Sequence, residues 1–596
     1  MSRLAALRAA QNLHDVARLL NFTAKGLAFI LYVKPKSTRY HEFEIDKKSG
    51  GKRKISAPDV DLLRLQKRLS NLLQTCDGEI RNALKLKRTI AHGFVPEKSI
   101  MTNAQEHLSR RMVLNVDIED FFGSINFGRV RGFFIKNRSF ALHPDVATIV
   151  AQIVCHDNKL PQGAPTSPVV SNLLTHILDV KLAQLSSKVG CTYTRYADDL
   201  TFSTNLRTFP PELAVPEDEH LWVAGQALKA AVVKQGFVLN EKKTRLQYRA
   251  SRQSVTGLVV NKEVSVPADF RRHLRQMVHR LCLTHTVSLA PGVAPVPADN
   301  LVMRRLHGML SYVYLVKNFE RSRRLSKKNE TIPTSSAFAK LYIRFLLYKD
   351  FFTSDRPVFL MEGKTDNIYL WCAIRQLAGQ LPALVTAAAD GKLTLVPRLF
   401  RNSKTTGELL GLSGGTGGLA NFLGIYCEAV KKFGAPESQS PIILLIDNDE
   451  GANALYTFLA QMNKPKGKGK GKQAPGGNGK KGGEGIDGMQ PFYRVGDHVY
   501  IVPTPKADPK AQSCMENLFS AETLGSVIDG KSFNIHEDTD GQTHYGKFAF
   551  AKMVKAKEKT TEFKGFLPFL TVVNDIVTNH GKAAPASPAP VAPVVT

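Results

Sequence analysis

The sequence predicts a multidomain chain of the α/β and α+β classes. Three observations predict it. The chain has 596 residues, room for roughly two to four separate cores. Around Tyr196-Ala-Asp-Asp199, two stretches of alternating β-branched or aromatic residues flank four residues, the pattern of strand, tip and strand. Further on, Pro357–Met361 and Pro441–Ile446 are continuous apolar runs. Each leads toward a helical pattern, the mark of parallel strands covered on both faces.

Composition narrows the partner and the compartment. Lys and Arg number 81 against 52 Asp and Glu, a net charge of +29. Such a surplus implies a polyanion, and nucleic acid is the first candidate. The seven cysteines (Cys76, Cys155, Cys191, Cys282, Cys372, Cys427 and Cys514) show no CxxC or CxxxC spacing. That argues against a zinc site or a disulfide framework and fits a reducing compartment. No apolar run reaches bilayer length, and the first residues lack a signal-peptide core. The expectation is a cytoplasmic protein with no membrane partner.

Taken in order, residues 1–35 read as a helical segment packed through Leu4, Leu7, Leu13, Val16, Leu19 and Leu20. Tyr40–Ile45, the basic Gly turn Lys47–Lys54 and Ile55–Pro58 read as a positive hairpin. It could close on a triphosphate through Arg53 or Lys54, although a basic tip is equally often solvated decoration. Leu62–Leu86 is a long amphipathic helical region. Val113–Asp117 is an apolar strand ending in Asp117, followed by Phe121-Phe122 and a helix start near Ser124. Leu160-Pro-Gln-Gly163 opens a Pro/Gly-rich loop into the helix Val169–Leu178. At the next hairpin tip Asp198 and Asp199 are adjacent carboxylates, which repel unless a cation sits between them. Oxygen-rich sites of this kind suit Mg²⁺. Taken alone, an Asp-Asp tip is more often a plain turn. Gly236-Phe-Val-Leu-Asn-Glu-Lys-Lys-Thr244 and the strand around Val255-Thr-Gly257 complete the set.

Strand-Asp, LPQG, YxDD and GFxLNxxKT in this order resemble the fingers and palm of reverse transcriptases. The resemblance implies a right-hand polymerase palm and fingers over 36–265 and a helical, basic thumb over 266–350. By position it implies that Asp117, Ile118, Asp198 and Asp199 serve a site for two Mg²⁺ ions. Phe122 would exclude a ribose 2′-OH, Gln162 would sit beside the incoming dNTP, and Lys243 would face the triphosphate as general acid. Asn103-Ala-Gln-Glu-His107 and Val255-Thr-Gly257 are similar to the NAxxH and VTG signatures of retron reverse transcriptases. That narrower resemblance implies a cognate structured noncoding RNA, primed from a guanosine 2′-OH and copied into a branched RNA–DNA hybrid (msDNA). Asn103, His107, Val255, Thr256 and Gly257 would then contact nucleic acid. Without that context His107 reads equally as a helix-surface histidine. In the basic helices beyond, Arg271, Arg272 and Arg275 and the run Arg321–Lys328 suit phosphate contacts, which give affinity with little sequence readout.

A second chemical centre follows. Glu362, Asp447 and Asp449 stand after apolar strands, where ligands gather in parallel sheets. Three converging carboxylates require a cation. Glu362-Gly-Lys-Thr-Asp366 and Ser513-Cys-Met-Glu-Asn-Leu518 resemble the TOPRIM domain of overcoming-lysogeny-defect nucleases. The resemblance implies a TOPRIM domain over 351–582 with one or two Mg²⁺ ions and phosphodiester chemistry. Asp366 and Glu516 would complete a second metal site, and Lys547 would stabilise the transition state. Gly414–Gly418 reads as a tight turn opening a helix. Lys464–Gly485, alternating Lys and Gly, and the tail 583–596 read as disordered. The whole resembles a retron reverse transcriptase fused to a TOPRIM effector, which implies antiphage defence of toxin–antitoxin type and a homo-oligomer. Two other readings stay open. One is a group II intron-like or diversity-generating reverse transcriptase, against which the lack of a maturase or HNH pattern weighs. The other is a ribonucleoprotein whose TOPRIM domain binds without cleaving.

Overall fold

The computed structural model describes residues 2–46, 50–85, 89–218, 221–290, 292–326, 330–412, 415–434, 440–462, 486–535 and 543–580. Lys47–Ser49 of the basic turn, Lys327 and Lys328, Gly414, the Lys/Gly insertion and the Ala/Pro/Val tail lie outside the described residues. The chain forms two compact units, residues 1–271 with 315–331 and residues 272–314 with 332–596. This division differs from boundaries at 265 and 350. The helix Asn300–Arg324 contributes to both units. Its last turns join the first unit, where Glu320 is buried and accepts the Val264 N–H at 3.2 Å. Most of the helix Ala268–Thr284 joins the second, where the Cys282 carbonyl accepts the Gly434 N–H at 2.9 Å. Leu274, Met277, Val278 and Leu281 are buried along that helix, while Arg272 and Arg275 are exposed.

In the first unit the leading helical segment is three short helices, Arg3–Ala9, Leu13–Leu19 and Ala24–Ala28. Ser2, Asn12 and Thr23 each cap one by accepting a backbone N–H, which satisfies donors the helix itself cannot. The basic hairpin is Tyr40–Asp46 against Lys52–Pro58, and the long helix behind it is Val60–Ala83. A four-stranded antiparallel sheet lies at the centre, in the order Thr192–Tyr196, Asp199–Thr204, Met112–Asp117, Arg245–Tyr248. Its register sets Asp117 opposite Asp199 and Val116 opposite Leu200. Met112, Leu114, Val116, Leu200 and Phe202 enter the core, packed with the helices Pro144–Val154 and Ser167–Lys188.

The structure corrects the expectation for Asn103, His107 and Val255. All three are buried and out of reach of a nucleic acid. His107 joins the two strands of the aspartate hairpin, one ring nitrogen 2.7 Å from Ser203 Oγ and the other 2.7 Å from Thr194 Oγ1. The helix Ile100–Glu106 meets the Val255–Gly257 turn, where Thr256 Oγ1 donates to the Ile100 carbonyl at 3.1 Å. The two signatures thus meet in one packing contact, with Gln105 and the turn residues Thr256 and Gly257 reaching the surface.

The second unit is built on a five-stranded sheet ordered Arg398–Leu399, Val358–Met361, Ile442–Ile446, Val499–Pro503, Tyr493–Val495. The first four strands run parallel and the last is antiparallel. Every residue of Ile442–Ile446 is buried, as expected for a central strand covered on both faces. Among the described residues no single helix is long and apolar enough to cross a membrane.

Replacing His107 removes two hydrogen bonds from a sealed site and strands two hydroxyls. His107→Ala is expected to cost about 2–3 kcal/mol. Urea unfolding followed at the first unit checks it.

Candidate metal centres

The first centre sits where the central sheet ends. Asp117 closes its strand and is buried. Asp198 lies in the hairpin turn and Asp199 begins the returning strand. The Asp198 carbonyl accepts the Ile118 N–H at 3.0 Å, which holds the turn against the end of the Asp117 strand. From the other side, the Asn240 N–H donates to the Asp117 carbonyl at 2.8 Å. That contact brings in the short turn Glu241–Lys243, and Lys243 Nζ donates to both Asp117 oxygens at 2.9 Å.

The electrostatics are those of an unneutralised anion pocket. Burial raises the Asp198 pKa and the Asp117 charge adds to it, while Lys243 and Arg53 pull the other way. Asp199 is pushed up to about 6, first by desolvation and then by Asp198 and Asp117. Its solvent-exposed side lets water moderate that push. Burial works against the Lys243 charge, but the Asp117 bonds outweigh it and its pKa is raised. Three carboxylates meeting one ammonium fit a divalent-ion site.

The structure brings other expected residues to this end of the unit. The Gln162 carbonyl accepts the Ser56 N–H at 2.8 Å, so the LPQG loop is pinned to the second strand of the basic hairpin. Gly163 is needed there: its φ is +120°, and a Cβ would stand 2.8 Å from the Ser56 carbonyl oxygen. Arg53 is close enough to act on Asp198, whereas Lys54 is engaged by Glu42 at 2.7 Å. Phe122 is half-buried beside Phe94, whose ring centroid lies 6.4 Å from that of Phe122 and 6.5 Å from that of Tyr196. Sequence reasoning missed Phe94. Nothing in the local pattern ties Gly93-Phe94 to a hairpin a hundred residues on.

The second centre lies at the carboxyl ends of the parallel strands. Glu362 follows Val358–Met361 and Asp447 follows Ile442–Ile446. Asp449 caps the turn Glu450–Ala452, accepting the Gly451 N–H at 2.8 Å. Asp366 opens the helix Asp366–Gln376 and accepts the Gly363 N–H at 2.7 Å. Met515 N–H donates to Asp447 at 2.9 Å, which delivers the neighbouring Glu516. Glu516 is buried, accepting from Lys547 Nζ at 3.2 Å and from the Tyr369 hydroxyl at 3.4 Å. Five carboxylates and one ammonium therefore share this edge. Burial, then Asp449 and Asp366, push Glu362 up to about 7. Burial, then Asp366, push Asp447 up to about 7 against the Met515 N–H. Glu362 Oε2 is buried with no hydrogen-bond partner among the described residues. A buried, partnerless carboxylate oxygen facing other carboxylates fits a cation ligand.

Asn448, between the two aspartates, also escaped the sequence reading. Its side chain donates to the Gly488 and Thr504 carbonyls at 2.9 and 3.0 Å and accepts the Tyr456 hydroxyl at 2.8 Å. This buried amide sets the direction in which Asp447 and Asp449 leave the strand.

A family profile described as reverse transcriptase (RNA-dependent DNA polymerase) matches residues 45–264. The Retron Mx65 reverse transcriptase of Myxococcus xanthus is 33% identical over 338 residues, 53% of this chain and 70% of that protein. The chain belongs to the retron reverse transcriptases. Two further members agree. The Retron Mx162 enzyme of Myxococcus xanthus is 32% identical, with 50% of this chain and 62% of its own length covered. The Retron Ec86 enzyme of Escherichia coli is 31% identical, with 45% and 78% covered. The first unit accordingly carries an RNA-directed DNA polymerase of retron type. The family-profile match stops at residue 264, ahead of the second carboxylate centre.

Glu362 and Asp447 hold protons more tightly folded than unfolded. They favour folding below the ordinary carboxylate range, and that contribution is lost as pH rises through about 7. The metal-free chain is expected to melt at a lower temperature at about pH 8 than at about pH 5.5, and Mg²⁺ to restore more at the higher pH. Thermal melts in EDTA and in Mg²⁺ check both.

Proposed function

We propose that this retron reverse transcriptase copies a cognate structured noncoding RNA, primed from a guanosine 2′-OH, into branched msDNA. The observation that carries the polymerase part is the meeting of Asp117, Asp198, Asp199 and Lys243 at the end of one sheet. In this reading Asp117, Asp198, Asp199 and the backbone of Ile118 would hold two Mg²⁺ ions. Bound there, the ions would supply charge neutralisation for attack by the priming or chain-end hydroxyl and departure of pyrophosphate. Lys243 donates a proton to the departing pyrophosphate. Arg53 holds the triphosphate from the hairpin side. Gln162 borders the incoming base, and Phe122 closes the space a ribose 2′-OH would need. With Asn103, His107 and Val255 assigned to packing, RNA contact falls to Thr256, Gly257 and the exposed faces bearing Arg271, Arg272 and Arg275.

The second unit is a TOPRIM-type phosphodiesterase in the same reading. Glu362, Asp447 and Asp449 would hold one Mg²⁺, Asp366 and Glu516 a second, and Lys547 would steady charge on the phosphate. Coupled to the polymerase, it serves as a toxin-like effector in antiphage defence, held in check by the RNA–DNA product. The Glu362 Oε2 that has no partner among the described residues, set with four other carboxylates, supports a bound cation, which cleavage would require.

Two experiments test this. The chain, expressed with its flanking genomic sequence, is expected to co-purify with a short DNA whose gel mobility shifts after debranching enzyme. Unbranched DNA, with Mg²⁺-dependent extension of an added primer intact, would remove the 2′-priming and keep the polymerase. For the effector, an Asp447→Ala, Asp449→Ala double variant is expected to abolish toxicity in phage-challenged cells while msDNA is still made. Toxicity that survives it sinks the nuclease assignment.

A further inference from the structure

We infer that Arg195 and Asp179 are positioning residues for the aspartate turn, with Asn172 and Gly93 completing the device. Arg195 is fully buried and Asp179 nearly so. They form a bidentate pair, Nε to Oδ1 at 2.8 Å and Nη2 to Oδ2 at 2.7 Å. The Tyr193 hydroxyl donates to the same Oδ1 at 3.0 Å. Burying an ion pair costs desolvation that its own attraction roughly offsets, so such a pair is weak ground for stability and better ground for a fixed geometry.

What the pair holds is the turn. Arg195 Nη1 donates to the Ala197 carbonyl at 3.1 Å and to Asn172 Oδ1 at 3.2 Å. Ala197 has φ +57°, a conformation that a residue with a Cβ keeps only when its surroundings over-determine it. The surroundings do so from the other side as well. Gly93 lies against the turn, and a Cβ there would stand 2.6 Å from the Ala197 nitrogen. Asn172 Nδ2 donates to the Gly93 carbonyl at 2.8 Å, which ties that segment to the guanidinium. Ala197 is thus gripped at its carbonyl by Arg195 and hemmed at its amide by Gly93. Asp198 comes next, and its own carbonyl accepts the Ile118 N–H at 3.0 Å. With the peptides on both sides fixed, the Asp198 carboxylate leaves the turn in one direction. Four guanidinium donors do this from one plane, a geometry a lysine ammonium cannot match.

The inference rests on the polymerase centre and adds what aims it. Arg195 and Asp179 touch no substrate and act through the turn. The test is primer extension by the full chain on poly(rA)/oligo(dT), with Mg²⁺ varied. Arg195→Lys is expected to lower kcat by about tenfold or more with the KM for dTTP little changed. It should also raise the Mg²⁺ concentration for half-maximal rate severalfold. Gly93→Ala pushes on the same amide without touching the ion pair and is expected to raise that concentration too. Asn172→Ala, at a half-buried site, should give a milder form of both effects. A purely structural role would lower the melting temperature and the active fraction but leave the Mg²⁺ requirement alone. An unchanged Mg²⁺ requirement in Gly93→Ala and Asn172→Ala overturns the inference, whether or not Arg195→Lys folds. Absence of extension by the unaltered chain would instead count against the polymerase centre itself.

Discussion

Strand register is the constraint on which the first centre depends. Asp117 and Asp199 stand opposite one another because Met112–Asp117 and Asp199–Thr204 pair in one alignment. A slip of one residue would turn every side chain of a strand to the other face and separate the carboxylates. Apolar residues set that alignment: Leu114, Val116, Leu200 and Phe202 are sealed in the core only in this register. His107 secures the neighbouring pairing, tying Ser203 on the returning strand to Thr194 on the hairpin's first strand, Thr192–Tyr196. Hydrophobic burial thus carries the cost of holding like charges together, and the aspartates stay where folding puts them rather than where repulsion would send them.

Most of the sheet and its carboxylates were legible because the signals are local. An apolar run ending in Asp, a YxDD tip between alternating residues and a continuous apolar run before Asp447 each declare themselves within ten residues. The parts that were not legible depend on contacts across the chain. Asn103, His107 and Val255 carried a family signature, but nothing in the sequence said they would face inward. Arg195 looked like one more basic residue in a chain with a large surplus of them. Its partner lies sixteen residues back on the helix Ser167–Lys188, on a face that periodicity alone does not distinguish. The division of the chain followed the same rule. The basic helices after residue 266 have a readable polar face, but which core receives their apolar face is decided by tertiary contacts such as Gly434 with Cys282.

The two centres solve one problem with different architecture. The first gathers its carboxylates on antiparallel strands and a hairpin, and a lysine from a neighbouring turn balances one of them. The second gathers them at the carboxyl edge of a parallel sheet, where two strands deliver Glu362 and Asp447 and the following turns and helices bring the rest. There the balance is poorer, with Lys547 opposite Glu516 and a Glu362 oxygen without a partner among the described residues. Poor internal balance keeps a site demanding of a cation.

Asn448 ties separate segments of the chain to one point. Tyr456, on the helix before the Lys/Gly stretch, and Gly488, just after it, are both hydrogen-bonded to this one buried amide. The two ends of the insertion are therefore stapled at the same point, directly between Asp447 and Asp449. Loss of that one amide would therefore release the Tyr456 helix, the Gly488 segment and the Thr504 strand end in a single step, and the aspartates on either side of the staple would lose their aim together.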